Sequence, residues 1–259
     1  MTMIVTAISE ESVVQIVDRR LTKAGALYDD LANKGLCGVC ADARFSLAYT
    51  GLMMTPTRTD EWIANLLSSD SLLSQSLPAV LETVAVALTK EFGRFKHLPE
   101  DQRRLTLAIA GFGKPGPFAA AVSNQEDEDG HVLGHPEDKF RYSMKLRNDR
   151  EMTRLDFIFH GAESAIDDDL KLIIEKTRRA LFRKPGVRIA SALVAIVRRA
   201  AKHKVHGHLI SEHCISMVQS AASGVIECDD HFLGNRRKTH LPHFVSPSVS
   251  AKHIWIKPG

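Results

Sequence analysis

The chain lacks an excess of charge of either sign. Its 34 Lys+Arg stand against 31 Asp+Glu, a formal net charge of +3 over 259 residues. Nucleic-acid binding usually leaves a concentrated basic stripe, and that balance does not supply one. The basic clusters Arg178-Arg179, Arg198-Arg199 and Arg236-Arg237-Lys238 are short and read as solvated faces. No stretch approaches the roughly 20 apolar residues that span a bilayer, so no membrane segment is expected. The opening Met-Thr-Met-Ile-Val-Thr has neither a basic region nor a long apolar one, so no secretory leader is expected. Cysteine is sparse, at Cys37, Cys40, Cys214 and Cys228. Without a leader these are expected to be reduced thiols of a cytoplasmic protein, not a disulfide framework. Internal repeats and low-complexity segments are also lacking.

What is present is enough hydrophobic sequence, 44% of residues, for a sizeable core. Residues 3–8 and 12–18 are β-rich around Glu10-Glu11, and 36–41 and 45–50 repeat the pattern around Asp42-Ala43-Arg44. Four short strands in the first fifty residues argue for antiparallel sheet. Asp60 is placed to cap a helix through Leu67, with Trp62, Ile63, Leu66 and Leu67 on one face. Pro78 is placed to open another reaching about Phe95, with Val80, Val84, Val86 and Leu88 inward. Strands are expected at 105–112 and 117–123 around Gly113-Lys114-Pro115-Gly116. The acidic segment 124–138 reads as an exposed loop. Strands at 139–146 and 153–160 precede helices from Ser164 to Phe182 and from Val187 to Lys202, and the tail offers strands near 213–219, 223–228 and 251–256. This order of strands, helix pair, strands, helix pair and strands suits an α+β layered sandwich in one domain spanning 1–259.

Four local signals read plainly. Cys37-Gly38-Val39-Cys40 has metal-ligand spacing, but no second such pair follows, and buried inert thiols explain it better. His203, His206, His208 and His213 beside Cys214 suggest either a metal-binding run or, more simply, a polar loop. Cys228-Asp229-Asp230-His231 reads as an exposed turn. Gly111-Phe112-Gly113-Lys114-Pro115-Gly116 lacks the Lys-Ser/Thr ending of a phosphate loop and reads as a hairpin turn.

Thr2 follows the initiator Met. Removal of Met1 would place a hydroxyl and a free α-amine on one residue, and an amine of pKa about 8 can accept the hydroxyl proton. Asp18 lies sixteen residues after Thr2, Lys34 sixteen after Asp18, and Gly51 closes the fourth strand. In these intervals the chain resembles the proteasome-type N-terminal-nucleophile hydrolases, the proteasome β-subunits and their bacterial homologues. Asp18-Arg19-Arg20 is similar to the Asp-x-Arg after that family's second strand. The hairpin Ala108–Phe112 with Lys114–Pro117, and the His160-Gly161 approach to a helix, are similar as well.

The resemblance implies a four-layer αββα sandwich and a threonine-type hydrolase cleaving an amide or peptide bond. Thr2 would be the nucleophile, Lys34 the charge that lowers its pKa, Asp18 the partner of Lys34, and the Gly51 N–H the oxyanion donor. Ser211 matches a supporting serine before a late strand. The family's aspartate three residues earlier is replaced by His208, and the serine of its glycine-rich turn is missing at Ala162 or displaced to Ser164. The resemblance implies a homo-oligomer and no cofactor or metal. It does not decide whether an ATPase or regulatory partner is needed. The alternative is a catalytically silent scaffold or interaction subunit of the same fold; a metal-binding regulator built on the His-rich loop is a third.

Overall fold

The structure is a computed structural model that describes residues 2–23, 26–52, 57–146, 155–233 and 242–246. In chain order the strands are β1 Met3–Ile8, β2 Ser12–Asp18, β3 Leu21–Lys23, β4 Ala26–Asp29, β5 Gly35–Val39 and β6 Ala43–Gly51. Helices α1 Thr59–Leu67, α2 Asp70–Leu73 and α3 Leu77–Phe92 follow. Then come β7 Leu105–Gly113, β8 Gly116–Ser123, β9 Arg141–Leu146 and β10 Asp156–Gly161. Helices α4 Asp168–Leu181 and α5 Gly186–Ala200 lead to β11 Cys214–Ser220, β12 Ile226–His231 and β13 His243–Val245. The fold is α+β with mainly antiparallel sheet, and the chain divides into two compact units.

The first unit holds a five-stranded sheet in the order β10-β1-β2-β11-β12, with β3 and β4 as a separate hairpin. One face of its central strands carries Met3, Val5, Ala7, Val14 and Ile16. They pack with Ile189, Leu193, Ile196, Val197 and Ala200, which recur at helical spacing along α5. All six residues of β1 and all seven of β2 are buried, which is why both read as near-continuous apolar runs. Their second face carries polar exceptions that pair: Gln15 Nε2 donates to Thr6 Oγ1 at 3.3 Å. The N-cap Asp167 starts α4 by accepting from Leu170 N at 2.8 Å, later than the expected start at Ser164, which lies in a separate 3₁₀ turn.

The second unit holds the six-stranded sheet β13-β5-β6-β7-β8-β9. Alternation is clean here. Phe45, Leu47 and Tyr49 of β6, Leu105, Leu107 and Ile109 of β7, and Phe118, Ala120 and Val122 of β8 share one face. They pack with Ile63 and Leu67 of α1 and with Val80, Leu81, Val84, Leu88 and Phe92 of α3. The opposite face is built of small residues, Ser46, Ala48, Ala108, Ala110 and Ala121, all buried.

Several expectations need correction. Asp60 does not cap α1: the N-cap position is Arg58, and Asp60 in the first turn binds the Arg58 guanidinium at 3.1 Å and His243 Nε2 at 3.2 Å. Val86 is 61% exposed, because it lies on the side of α3 opposite the Val80–Val84–Leu88 stripe. The acidic loop is anchored and not wholly exposed: buried Asn124 donates from Nδ2 to the Arg103 and Glu137 carbonyls and accepts from Leu105 N. Asp229, Asp230 and His231 belong to β12 and not to a turn. The short elements β3, β4, α2 and β13 were not expected. The expected strand at 251–256 and the basic cluster 236–238 lie outside the described residues, as do Met1 and the first two positions of the strand expected at 153–160.

Candidate active site

Antiparallel pairing gathers one end of the five-stranded sheet. Ile4 pairs with Val17, Met3 with Gly161 and Cys214 with Asp18. Residues just before β1, at the end of β2, just after β10 and just before β11 therefore meet. Thr2, Asp18, Ala162 and Ser211 occupy those positions. Lys34 arrives by another route: the β3–β4 hairpin turns the chain back, and Ala32 N donates to the Arg19 carbonyl at 3.1 Å. Asn33 Oδ1 then accepts from Gly35 N at 3.2 Å, fixing the step into β5.

Thr2 is 3% exposed, and Asp18, Lys34 and Ser211 are fully buried. The Lys34 ammonium donates to Thr2 Oγ1 at 2.5 Å and to the Arg20 carbonyl, and stands 3.7 Å from Asp18 Oδ1. The buried ammonium thus has two hydrogen-bond acceptors and one carboxylate at ion-pair distance. Asp18 is fixed in turn by three backbone N–H groups. Oδ2 accepts from Met3 at 2.6 Å, and Oδ1 accepts from Arg20 at 2.8 Å and Ser211 at 3.1 Å. The Thr2 carbonyl accepts from Ala162 N at 2.8 Å, so backbone pins the residue that carries the hydroxyl.

Burial pushes the Lys34 ammonium below the ordinary lysine range of 10.5, against the charges of Asp18, Asp30 and Asp29. A buried cation bonded to a hydroxyl oxygen favours the ionised form of that hydroxyl. The constellation can therefore lower the pKa of Thr2 Oγ1 and hold it in one orientation.

Four of the five site residues expected from sequence thus meet in the first unit. Gly51 belongs to the second unit, at the end of β6, with φ of +114°. A Cβ there would lie 2.0 Å from the Arg104 carbonyl oxygen, so the backbone of its own unit demands glycine. His208 is exposed in a 3₁₀ turn, and its carbonyl accepts from Arg20 Nη1 at 2.9 Å. Ser164 is exposed on the 3₁₀ turn after Ala162.

Sequence reasoning missed Asp30. Its carboxylate takes Arg20 Nε at 2.8 Å and Nη2 at 3.1 Å, close to Ser211 and His213. Nothing in the linear pattern flags it, because it lies in a polar stretch whose return to the site depends on the unpredicted β3–β4 hairpin.

The other signals resolve locally. All four cysteines are buried and outside any disulfide, and burial raises Cys40 to about 11 and also raises Cys214. His203 and His206 stack on each other with ring centroids 5.3 Å apart, and His213 stacks on Phe232 at 4.1 Å. Arg178 and Arg179 pair with Glu175 on the solvated face of α4. Arg198 instead ties down the Glu212 and His231 carbonyls. In the acidic loop Asp127, Asp129 and His131 bring donor atoms within 4.8 Å of one another, while Asp127 already accepts from the Asp129 and His131 backbone. Among the described residues no helix is long and apolar enough to cross a membrane.

No protein-family model and no curated protein sequence matches the chain. Solved structures do resemble it. Anbu from Yersinia bercovieri, described as an ancestral beta-subunit, is 12% identical with a TM-score of 0.51, over 85% of this chain and 81% of that one. A Gly-1 mutant of Anbu from Hyphomicrobium sp. strain MC1 is also 12% identical, with a TM-score of 0.54 over 85% of this chain and 82% of that one. At that identity the likeness is one of fold, and the chain shares the α+β fold of these Anbu structures.

Proposed function

We propose that the chain is a threonine-type N-terminal-nucleophile hydrolase that cleaves an amide or peptide bond. The observation that carries this reading is the buried Lys34 ammonium donating to Thr2 Oγ1 at 2.5 Å, with Asp18 held beside it by three backbone N–H groups. The fold shared with a beta-subunit structure supports it. The reading requires Thr2 to become the N-terminal residue by loss of whatever precedes it. Thr2 Oγ1 then attacks the carbonyl carbon as its proton passes to the α-amine. The C–N bond breaks as that proton moves to the leaving amine, and water hydrolyses the resulting ester. By the resemblance, the Gly51 N–H stabilises the oxyanion. The four-layer αββα arrangement, a single domain over 1–259 and a homo-oligomer belong to the same proposal.

Intact mass before and after treatment with a peptide epoxyketone tests the reading. Loss of Met1 and one adduct on Thr2 are expected, with no adduct on Thr2→Ala. Nucleophile removal should lower amide turnover by several orders of magnitude. Full turnover by Thr2→Ala would sink the reading. The rival is a silent scaffold of the same fold, favoured by His208 and Ala162, which stand where the family's pattern has an aspartate and a serine. Native protein that retains residues ahead of Thr2 would favour it.

A further inference from the structure

Asp30 is linked to the Thr2–Lys34 pair by two routes. The first runs through Arg20, whose guanidinium clamps both Asp30 oxygens while its carbonyl accepts from Lys34 Nζ and its N–H donates to Asp18. The second runs through Ser211. Its N–H donates to Asp18 Oδ1 at 3.1 Å, its Oγ accepts from His213 N at 3.0 Å, and its side chain is close enough to Asp30 to help keep that carboxyl ionised. His213 closes the cluster. Its Nδ1 accepts from Leu233 N at 3.2 Å, so Nε2 carries the ring proton, and Nε2 lies 3.9 Å from Asp30 Oδ2.

We propose that Asp30 is a positioning residue for the Thr2–Lys34 pair: it clamps the Arg20 guanidinium, so that the Arg20 carbonyl stays on the Lys34 ammonium and the Arg20 N–H on Asp18. The proposal rests on the threonine reading for its chemical consequence. Asp18 is the principal counter-charge of Lys34, with Oδ1 3.7 Å from the ammonium, and Asp30 adds to it from beyond Arg20. Lys34 is fully buried, so its charge depends on the acceptors and anions held around it, and whatever holds Arg20 in place supports it. Burial raises the Asp30 carboxyl, but hydrogen bonds from Arg20 and Ser211 and the charge of Arg20 outweigh it and hold the group ionised, below its ordinary 3.8. The groups facing Lys34 are Asp18, Asp30 and Asp29.

The test uses the full chain as wild type, Asp30→Asn and Asp30→Glu, with two readouts. The first is the ¹⁵N NMR titration of the Lys34 ammonium, identified by its loss in Lys34→Arg. In Asp30→Asn it should move down by about one pH unit, and Asp30→Glu should recover most of the shift. The second is the rate of Thr2 labelling by the epoxyketone across pH. Asp30→Asn should label about tenfold more slowly at mildly alkaline pH, with its alkaline limb displaced to lower pH. A residue that only supports the fold would lower yield or melting temperature without moving the Lys34 titration. Superimposable Lys34 titrations in wild type and Asp30→Asn overturn the proposal, even if Thr2 labels normally. Wild type with a free Thr2 that takes no label overturns the threonine reading instead, and the titration still decides whether Asp30 acts on Lys34.

Discussion

The two units bury similar amounts of apolar sequence and very different amounts of charge. In the first, Asp18, Arg19 and Lys34 are fully buried. In the second, Asp60 is the buried carboxylate among the described residues, and it binds His243 and Arg58 close to the start of α1. Buried charge is costly unless each group is paired and hydrogen-bonded, so a fold retains a cluster of it only where partners are exact. The second unit's other buried polar side chains are uncharged, as in the hydroxyl pair of Thr106 with Ser123, 2.8 Å apart, and the Asn124 amide. The contrast teaches where chemistry is concentrated: one unit packs side chains by volume, and the other also positions charges.

The largest effect on stability should come from breaking the charge cluster. Asp18→Ala leaves the Lys34 ammonium buried without its carboxylate and removes the acceptor of three backbone N–H groups; a loss of about 3–5 kcal/mol in urea unfolding is expected. The double replacement Asp18→Leu with Lys34→Met should recover much of that stability while abolishing Thr2 labelling. If Asp18→Ala unfolds like wild type, the contrast between the units has no energetic content.

A smaller effect is expected in the second unit. Gly51→Ala would force a side chain into positive φ and against the Arg104 carbonyl, with a loss of about 1–3 kcal/mol by thermal unfolding, labelled or not. An unchanged melting temperature would show that its glycine answers to chemistry alone.

The smallest effect lies at the edge strand β12. Burial lowers the His231 pKa below 6.5, with the Arg198 charge adding to it and Asp229 opposing, and His231 Nε2 lies 2.8 Å from Ser216 Oγ. A histidine with a depressed folded pKa binds protons more readily when unfolded. Stability should therefore fall as pH drops below 6.5 and stop falling once the pH passes the folded value. His231→Gln should flatten that slope, measured as the difference from wild type; an identical slope would refute it. Asp30 has the opposite window: its contribution is complete above 3.8 and is lost as pH falls through its lower folded value.

Much of this protein was legible before any tertiary contact. The strands at 3–8, 12–18, 105–112 and 117–123 and the helices of both pairs followed from apolar period and from Pro and Gly punctuation, since those elements bury a face. The spacing of Thr2, Asp18 and Lys34 was legible too, because strand lengths fix where a chain returns. What sequence could not supply is convergence. Ser211 reaches Asp18 from 193 residues away, through a sheet register. Asp30 reaches Arg20 through a hairpin whose exposed Leu27 and Tyr28 give no burial signal, each 60% exposed. Local pattern reports how a segment meets water. Only packing decides which charges end up sharing a place from which water is excluded, and the candidate site is made of such charges.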